Sequence, residues 1–144
     1  MKSCCTIWEK FDEENNLIKE YKHWKLLIRK KHIKLGSCVA ITKRHMASFS
    51  EITDEEMKDY ANVVRDIEKV LKKTFDYDVI HHLMLMFVDK HTHFHIIPRY
   101  KKPRDFAGMK WEDDFVPNPL LQKREPVSQD ILNQIKEEIK NNIK

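Results

Sequence analysis

The hydrophobic positions along the chain follow two different periods, which predict β-strands on either side of one long helix. Within residues 17–31 apolar and polar side chains alternate with a period close to two, which is typical of a half-buried strand. Gly36 then interrupts the pattern. Residues 37–42, Ser-Cys-Val-Ala-Ile-Thr, predict the next strand, antiparallel to the first.

The following segment carries the signals of a helix start and one apolar stripe. Thr53 is a suitable N-cap, and Glu56 three residues later completes a capping box. Ile52 and Met57 have the spacing of a hydrophobic staple. The stripe has helical spacing and predicts a helix to about Lys73. Its members are Met57, Tyr60, Ala61, Val64, Ile67 and Leu71.

Two apolar runs follow the helix and predict a hairpin. They cover residues 79–88 and 91–98, and the pair Asp89-Lys90 between them is short enough for a tight turn. Pro98 should end the second strand or place it at a sheet edge, because proline lacks the N–H that a central strand donates.

The C-terminal part predicts a loop and a last helix. Residues 101–126 have loop composition, and Trp111 and Phe115 suggest that this loop packs onto the domain. One place that it could cover is the functional site. A final helix begins near Ser128, and its apolar side chains share one face. Before Asn16 the pattern fits either a short helix or a strand. The apolar residues of the last helix are Leu132, Ile135 and Ile139.

These elements predict an α+β fold: an antiparallel sheet of about five strands with one long helix and a C-terminal helix. With 144 residues and two glycines the chain is expected to be one domain, 1–144. Its core should lie within about 17–100, followed by the C-terminal loop and helix in 101–144.

Charge and composition favour a protein that handles small anions. The net charge of +4 comes from 27 basic and 23 acidic residues spread along the chain, short of the dense basic stripe of a nucleic-acid binder. We therefore expect no nucleic-acid partner. The densest basic cluster is interpreted as the solvated face and end of a strand, with phosphate attraction as a lesser alternative. It consists of Lys25, Arg29, Lys30 and Lys31.

The same composition bears on location and metal content. No apolar run reaches the roughly 18 residues of a membrane helix, and the N-terminus lacks the apolar stretch of a signal peptide, so we expect a cytoplasmic protein without a membrane partner. Cys4, Cys5 and Cys38 suggest no disulfide framework and no Cys-x-x-Cys zinc pair.

Five of the eight histidines lie between His81 and His95, and three of them alternate. In a strand His91, His93 and His95 would share one face, about 6.5–7 Å apart in successive pairs, while Thr92, Phe94 and Ile96 would face the core.

Three interpretations of this alternation are open. The histidines could be solvated residues of an exposed sheet face, although strict alternation beside Phe94 and Ile96 makes this a minority explanation. They could hold a metal, but Asp89 is the only acid close in sequence and no cysteine is near. They could act in nucleophilic catalysis, because a neutral imidazole is a competent nucleophile near pH 7.

The run His-Thr-His-Phe-His-Ile-Ile at 91–97 resembles the signature of the histidine-triad (HIT) family. The segment 35–45, which begins Leu-Gly and ends Lys-Arg-His, is similar to the family's glycine-led strand. The helix capped by Thr53 stands where the family has its long helix, and Pro98-Arg99 follows the triad as in many members. The resemblance extends over roughly residues 24–100.

This resemblance implies a nucleotide hydrolase or nucleotidyl transferase. His93 would attack the α-phosphorus of a purine nucleotide and form a nucleotidyl-histidine intermediate, while His91 and His95 hold or protonate phosphoryl oxygens. A backbone carbonyl or a polar neighbour would fix the tautomer of His93. Dinucleoside polyphosphates and nucleoside phosphoramidates are the implied substrate classes. No metal is required, although a divalent cation could accompany a polyphosphate.

Further residues are assigned from the resemblance. Substrate binding is assigned to Ser37, His81 and Arg99, with an exposed arginine as the alternative for Arg99. His45 is expected to be structural or a sheet-edge residue. Family members commonly form symmetric homodimers, and Trp24 or the final helix could supply that surface.

The chain also departs from the family pattern. Phe87 and Val88 stand where many members carry a glutamine and a serine or threonine, which grip the phosphates and the leaving group. The alternative function is therefore a nucleotide-binding sensor or scaffold with weak or no turnover.

Overall fold

The computed structural model describes residues 5–118 and 126–143 of the chain. Two short helices come first, and a 3-10 turn (Phe49–Glu51) precedes the long helix. Helices and strands are interspersed along the chain. The helices are α1 (Ile7–Lys10), α2 (Glu13–Asn16), α3 (Asp54–Phe75) and α4 (Gln129–Asn142). The strands are β1 (Leu17–Glu20), β2 (Trp24–Ile28), β3 (Cys38–Thr42), β4 (Val79–Leu83), β5 (His93–Arg99), β6 (Arg104–Phe106) and β7 (Met109–Trp111).

The first five strands form one antiparallel sheet in the order β1-β2-β3-β5-β4. The predicted α+β fold is confirmed, and β2 pairs antiparallel with β3 as expected. Alternation divides the strands between two cores: Leu26 and Ala40 pack with α3 and α4, whereas Leu27 and Val39 pack against Ile7 of α1 on the opposite face.

The start of α3 follows from its capping box. The Thr53 hydroxyl accepts from the Glu56 N–H at 3.1 Å, and the Glu56 carboxylate accepts from the Thr53 N–H at 2.9 Å. Each bond satisfies a backbone donor of the first turn. The apolar stripe is rotated from the predicted one, because Met57 is 41% exposed whereas Val63 and Val70 are buried.

The first predicted strand, 17–31, is in fact a hairpin. Residues 21–23 reverse the chain, where the Tyr21 N–H donates to the Trp24 carbonyl at 2.8 Å. The His23 N–H is taken up by Asp59 of α3 at 2.6 Å. The acceptor that stabilises this turn therefore comes from α3. Residues 21–23 themselves contain no turn signal such as glycine or proline.

The second hairpin also differs from the prediction. β4 ends at Leu83 and β5 begins at His93, so residues 84–92 form the connection in place of a two-residue turn. Met86 takes a left-handed conformation with φ of 51°. His91 and Thr92 therefore lie before β5, although they were expected within the strand.

Pro98 lies inside β5 rather than at its end. The pairing of β5 with β3 extends only from His93 to Ile96, so Pro98 faces β4 alone and no β3 hydrogen bond is lost. Gly36 packs beside it with φ of +87°, where an added Cβ would lie 3.1 Å from Leu71 and 3.3 Å from Pro98. Glycine is required at that position by both its φ and its contacts.

The predicted C-terminal loop contains the β6–β7 hairpin. Trp111 is buried and its indole N–H donates to the Phe106 carbonyl at 3.1 Å. The hairpin packs beside the end of α3, where the Phe75 and Phe106 rings are 5.3 Å apart. Ser128 caps α4 as predicted, accepting from the Ile131 N–H. No helix in the described part of the chain is long and apolar enough to span a bilayer.

Candidate active site

A cavity of about 950 Å³ opens beside β5, and His93 and His95 line it. This volume lies at the upper end of the range found for small-molecule sites. Its walls come from four parts of the chain: α1 and the turn after it, the segment after β2, the connection after β4, and the start of α4. These contribute Lys10 and Phe11, residues 29–33, residues 85–89, and the group Pro126, Val127, Gln129 and Leu132.

Strand alternation separates the two cavity histidines from the core. Phe94 and Ile96 pack on the α3 side, and the Phe94 ring stacks on Tyr60 at 4.5 Å. His93 and His95 project to the other face, where their rings lie edge to face at 5.0 Å. Phe11 lies 5.9 and 6.0 Å from these two rings and forms the adjoining apolar wall.

His91 does not share this cavity. It is 1% exposed, and its Nε2–H donates to the Thr42 carbonyl at 2.6 Å. The expectation that three imidazoles share one strand face is therefore wrong for His91, because the strand begins only at His93. Its backbone carbonyl, however, reaches the next histidine.

That carbonyl assigns the tautomer of His93. The Nδ1–H of His93 donates to the His91 carbonyl at 2.6 Å, which leaves the Nε2 lone pair free. Burial lowers the pKa of His93, so the ring is neutral at pH 7. This bond matches the expectation that a backbone carbonyl orients the nucleophile.

His95 is the second neutral ring of the cavity. Burial, followed by the charge of Arg29, lowers the pKa of His95 to about 3. Its Nδ1 is buried and makes no hydrogen bond within the described residues. The ring itself lines the cavity beside that of His93.

A cluster of three metal-ligating side chains lies behind this pair. The Nδ1 atom of His91 is 3.1 Å from Nδ1 of His45 and 3.3 Å from Sγ of Cys5, and the three donor atoms all lie within 4.8 Å of one another. His45 is therefore more than a sheet-edge residue. Cysteine and histidine are ligands that Zn²⁺ prefers. This cluster could not be predicted from the sequence, because Cys5 is far from the histidines along the chain.

The structure places Arg99 and His81 away from the cavity. Arg99 is 2% exposed, and its guanidinium bonds both carboxylate oxygens of Asp113, at 2.8 and 2.9 Å. Nε2 of His81 lies 3.3 Å from Arg99 and not in the cavity wall. The predicted phosphate contact of Arg99 is wrong, because a buried ion pair already occupies its donors.

Ser37 is likewise excluded from the cavity. It is buried, and its hydroxyl donates to the Lys34 carbonyl at 2.6 Å, so it closes the turn before β3. Lys34 in turn donates to Asp113 at 3.0 Å. Burial alone would raise the pKa of Asp113, but Arg99, two backbone N–H groups and Lys34 outweigh it and hold that pKa far below its ordinary value.

Part of the basic cluster in the sequence does line the cavity. Arg29, Lys30 and Lys31 stand on its wall, whereas Lys25 pairs with Glu13 and lies over the Trp8 ring. Residues 101–118 contribute nothing to the lining, so the β6–β7 loop does not cover the site.

Comparison with known proteins agrees with this geometry. The family model of the HIT domain matches residues 12–102. An uncharacterised HIT-like protein of Methanocaldococcus jannaschii is 34% identical over 70 residues, which cover 46% of this chain and 54% of that protein. The matched part thus spans about half the length of this curated relative.

Solved structures show the same fold at low sequence identity. A hypothetical histidine triad nucleotide-binding protein from Sulfolobus tokodaii is 19% identical, with a TM-score of 0.71 over 96% of this chain and 91% of that chain. A histidine triad protein from Marinobacter aquaeolei gives a TM-score of 0.73 at 14% identity, covering 95% and 94%. A Zn-bound histidine triad family protein from Mycobacterium smegmatis gives 0.64 at 14% identity, covering 96% and 94%.

Proposed function

The chain belongs to the HIT domain family, and on that premise we propose that it binds a purine nucleotide and breaks a bond at the α-phosphate. The substrate classes are dinucleoside polyphosphates and nucleoside phosphoramidates. The observation that carries the proposal is the buried bond from Nδ1 of His93 to the His91 carbonyl, which directs an unprotonated Nε2 at a cavity of nucleotide size.

The chemistry has two steps that balance in atoms and charge. Nε2 of His93 attacks the α-phosphorus in line, an N–P bond forms, and the P–O or P–N bond opposite it breaks. The electron pair of that bond leaves on the departing group, which takes up a proton from the solvent. Water then attacks the same phosphorus, releasing the nucleoside monophosphate, a proton and the free imidazole.

The chain's own groups assist these steps. The ring of His93 becomes positively charged in the intermediate, and the His91 carbonyl stabilises that charge because it already accepts the Nδ1 proton. The ring of His95 lines the cavity 5.0 Å from that of His93, a position from which it can bond a phosphoryl oxygen. Phe11 lies 5.9 and 6.0 Å from the two rings and gives the cavity an apolar wall beside them.

A hydrolysis assay tests the proposal. Wild-type protein and His93→Ala are incubated with a fluorogenic adenosine phosphoramidate and with diadenosine tetraphosphate. Loss of the nucleophile should lower kcat/KM by roughly a thousandfold or more. His82→Ala is the matched control, because His82 bonds Glu68 at 2.7 Å on the α3 side of the sheet. Equal rates for wild-type and His93→Ala would remove the catalytic proposal.

A binding protein with weak turnover is the second candidate function. Phe87 and Val88 line the cavity and are 83% and 74% exposed, at the positions where many family members carry polar groups that grip the phosphates. Nucleotide binding without measurable turnover of either substrate would favour this candidate over the enzyme.

We also infer that Cys5, His45 and His91 hold a transition metal such as Zn²⁺. The donor set fits the ion, since a thiolate and two imidazoles leave one position of a tetrahedron for a further ligand. The Zn-bound mycobacterial relative supports the assignment. The ion would fix the backbone of His91 and take no part in the chemical step. A metal remains unnecessary for attack by His93.

We also propose a symmetric homodimer, but with an interface different from the two surfaces expected from the sequence. Trp24 cannot supply the interface, because it is fully buried and its indole N–H donates to the Glu56 carbonyl at 2.8 Å. β4 is an edge strand with Val79 exposed, and α4 presents its polar side to solvent. The edge of β4 is therefore the better candidate.

A further inference from the structure

One wall of the cavity is strongly cationic. Four basic side chains line it, and Asp89 is the one carboxylate among the described lining residues. Asp89 is already paired with Lys10, with Nζ and Oδ2 2.7 Å apart. Arg29, Lys30 and Lys31 are left without a carboxylate in the described wall, so this wall favours an anion.

Arg29 is the least satisfied member of this wall. Its NH1 group donates to the Lys31 carbonyl at 3.2 Å, but its Nε–H is buried and reaches no acceptor among residues 5–118 and 126–143. Arginine stays charged in proteins, and a buried donor without an acceptor is costly. The side chain also lines the cavity, so an anion bound there would supply the counter-charge that the described lining residues lack.

Arg29 follows β2, which lies two strands away from the β5 histidines. Leu27 is opposite Val39, and Val39 is opposite His95. Arg29 comes two residues after Leu27, so its side chain shares the sheet face of His95. Two strand spacings, about 10 Å, separate the backbones of β2 and β5.

The influence of nearby charges on the pKa values of the two histidines agrees with this placement. The charge of Arg29 lowers the pKa of His95 more than any other nearby charge does, whereas for His93 it is the weakest of the named influences. Arg29 therefore lies on the His95 side of the cavity. An anion bound beside Arg29 would therefore lie nearer to the ring of His95 than to that of His93.

We propose that Arg29 binds a second phosphate group of the nucleotide, distinct from the α-phosphate that His93 attacks. This inference rests on the proposed nucleotide site and narrows its preferred ligands to nucleotides with at least two phosphate groups. The planar guanidinium suits phosphate because two parallel N–H donors meet two oxygens. Lys30 and Lys31 are exposed and would attract the anion toward the cavity.

Two kinds of nucleotide carry such a group. The second phosphate can extend the chain at the 5′ position, as in a nucleoside diphosphate, or it can sit on the ribose, as in a 3′,5′-bisphosphate. In both nucleotides the second phosphate presents the same kind of oxygens to Arg29. The two nucleotides differ in where that phosphate is attached, and only an attachment point that lets it reach Arg29 will increase affinity.

Binding titrations at fixed ionic strength test the proposal without any turnover. AMP, ADP and adenosine 3′,5′-bisphosphate are titrated into wild-type protein, Arg29→Gln, Arg29→Lys and Arg65→Gln. The last is a matched charge control, since Arg65 is an exposed residue of α3. In the wild type, at least one of the two bisphosphorylated ligands should bind about tenfold or more tightly than AMP.

Arg29→Gln should abolish that gain, while its affinity for AMP stays within about threefold of wild type. Arg29→Lys keeps the charge without the fork and should retain only part of the gain, which also tests the role if Arg29→Gln fails to fold. The ligand that shows the gain identifies the position of the second phosphate.

Three results would overturn the proposal. They are equal affinity of wild type for all three ligands, a gain that persists in Arg29→Gln, and an equal loss of the gain in Arg65→Gln. None of these concerns His93. If His93→Ala hydrolysed substrate as fast as wild type, the catalytic proposal would fail while an Arg29-dependent gain in binding stood.

Discussion

A hydrogen bond from its ring to the backbone carbonyl of His91 fixes the orientation of His93. The Nδ1–H of His93 donates to the His91 carbonyl at 2.6 Å, and the ring of His91 is anchored by its own bond of 2.6 Å to the Thr42 carbonyl. The end of β3 thereby determines where the carbonyl lies, and the carbonyl determines which nitrogen of His93 is free. His91 is a positioning residue in this arrangement.

Replacing His91 should therefore impair catalysis less than replacing His93. His91→Ala keeps the carbonyl but loses its anchor, and we expect kcat to fall by roughly 10- to 100-fold with KM little changed. Steady-state kinetics on the phosphoramidate check this. An equal loss of kcat in His91→Ala and His93→Ala would contradict the positioning role.

The metal cluster predicts a difference between two cysteines. Cys5→Ser should lose most of the bound metal, because its thiolate is one of three donors, and should lower the Tm. Cys38→Ser is the control for metal content, since Cys38 is buried in the core and is not a member of the cluster. Elemental analysis of the purified proteins measures the content. Metal retained in Cys5→Ser at the wild-type level would refute the site.

Asp113 should be a large contributor to stability. It pairs with two nearly inaccessible cations, Arg99 at 2.8 Å and Lys34 at 3.0 Å, and Asp113→Ala would leave both with only the longer contacts to the half-exposed Asp114, at 3.7 and 3.8 Å. We expect the free energy of unfolding to fall by about 3–5 kcal/mol, measured by urea denaturation. Asp114→Ala is the control: Asp114 is 47% exposed and 3.7 Å from Arg99, so its loss should cost about 1 kcal/mol or less.

Glu56 predicts a pH-dependent part of the stability. Its bonds with Arg44, and then with Thr53, lower its pKa from 4.5 to about 2 against the effect of burial. A carboxylate with a lowered pKa stabilises the fold fully above its unfolded value, and this is lost as pH falls through the folded value. The stability difference between wild type and Glu56→Gln should thus be largest above pH 5 and shrink between pH 4.5 and 2.

Urea denaturation at pH 7, 5, 4 and 3 measures this difference. Glu55→Gln, in the same turn of α3 but exposed, should change stability less than Glu56→Gln at pH 7. A difference for Glu56→Gln that stayed constant down to pH 3 would exclude the role of the Arg44 pair.

Local signals in the sequence were sufficient for α3 and for the cavity face of β5. The capping box of Thr53 and Glu56 is made by residues three apart, and the alternation of His93 and Phe94 is a property of any extended strand. Both depend on neighbouring residues only, so they could be predicted without knowledge of the fold. The HIT resemblance was carried by the same local patterns.

Long-range contacts decided the rest of the site. Arg99 was predicted to bind phosphate, but Asp113 occupies its donors. Cys5 lies 86 residues from His91 along the chain, yet its Sγ is 3.3 Å from the His91 ring. Where β5 begins was likewise determined by its pairing with β3, which left His91 outside the strand. A single sequence does not show such pairings, because the two partners are separated along the chain and are brought together only by packing.

The chain by itself therefore determined the fold class, the long capped helix and the presence of alternating imidazoles. The tertiary structure decided which imidazoles face the cavity, which cations remain for an anion, and which are consumed by internal ion pairs. The physical reason is that alternation and capping act over a few residues, whereas burial and charge pairing depend on groups far apart in sequence.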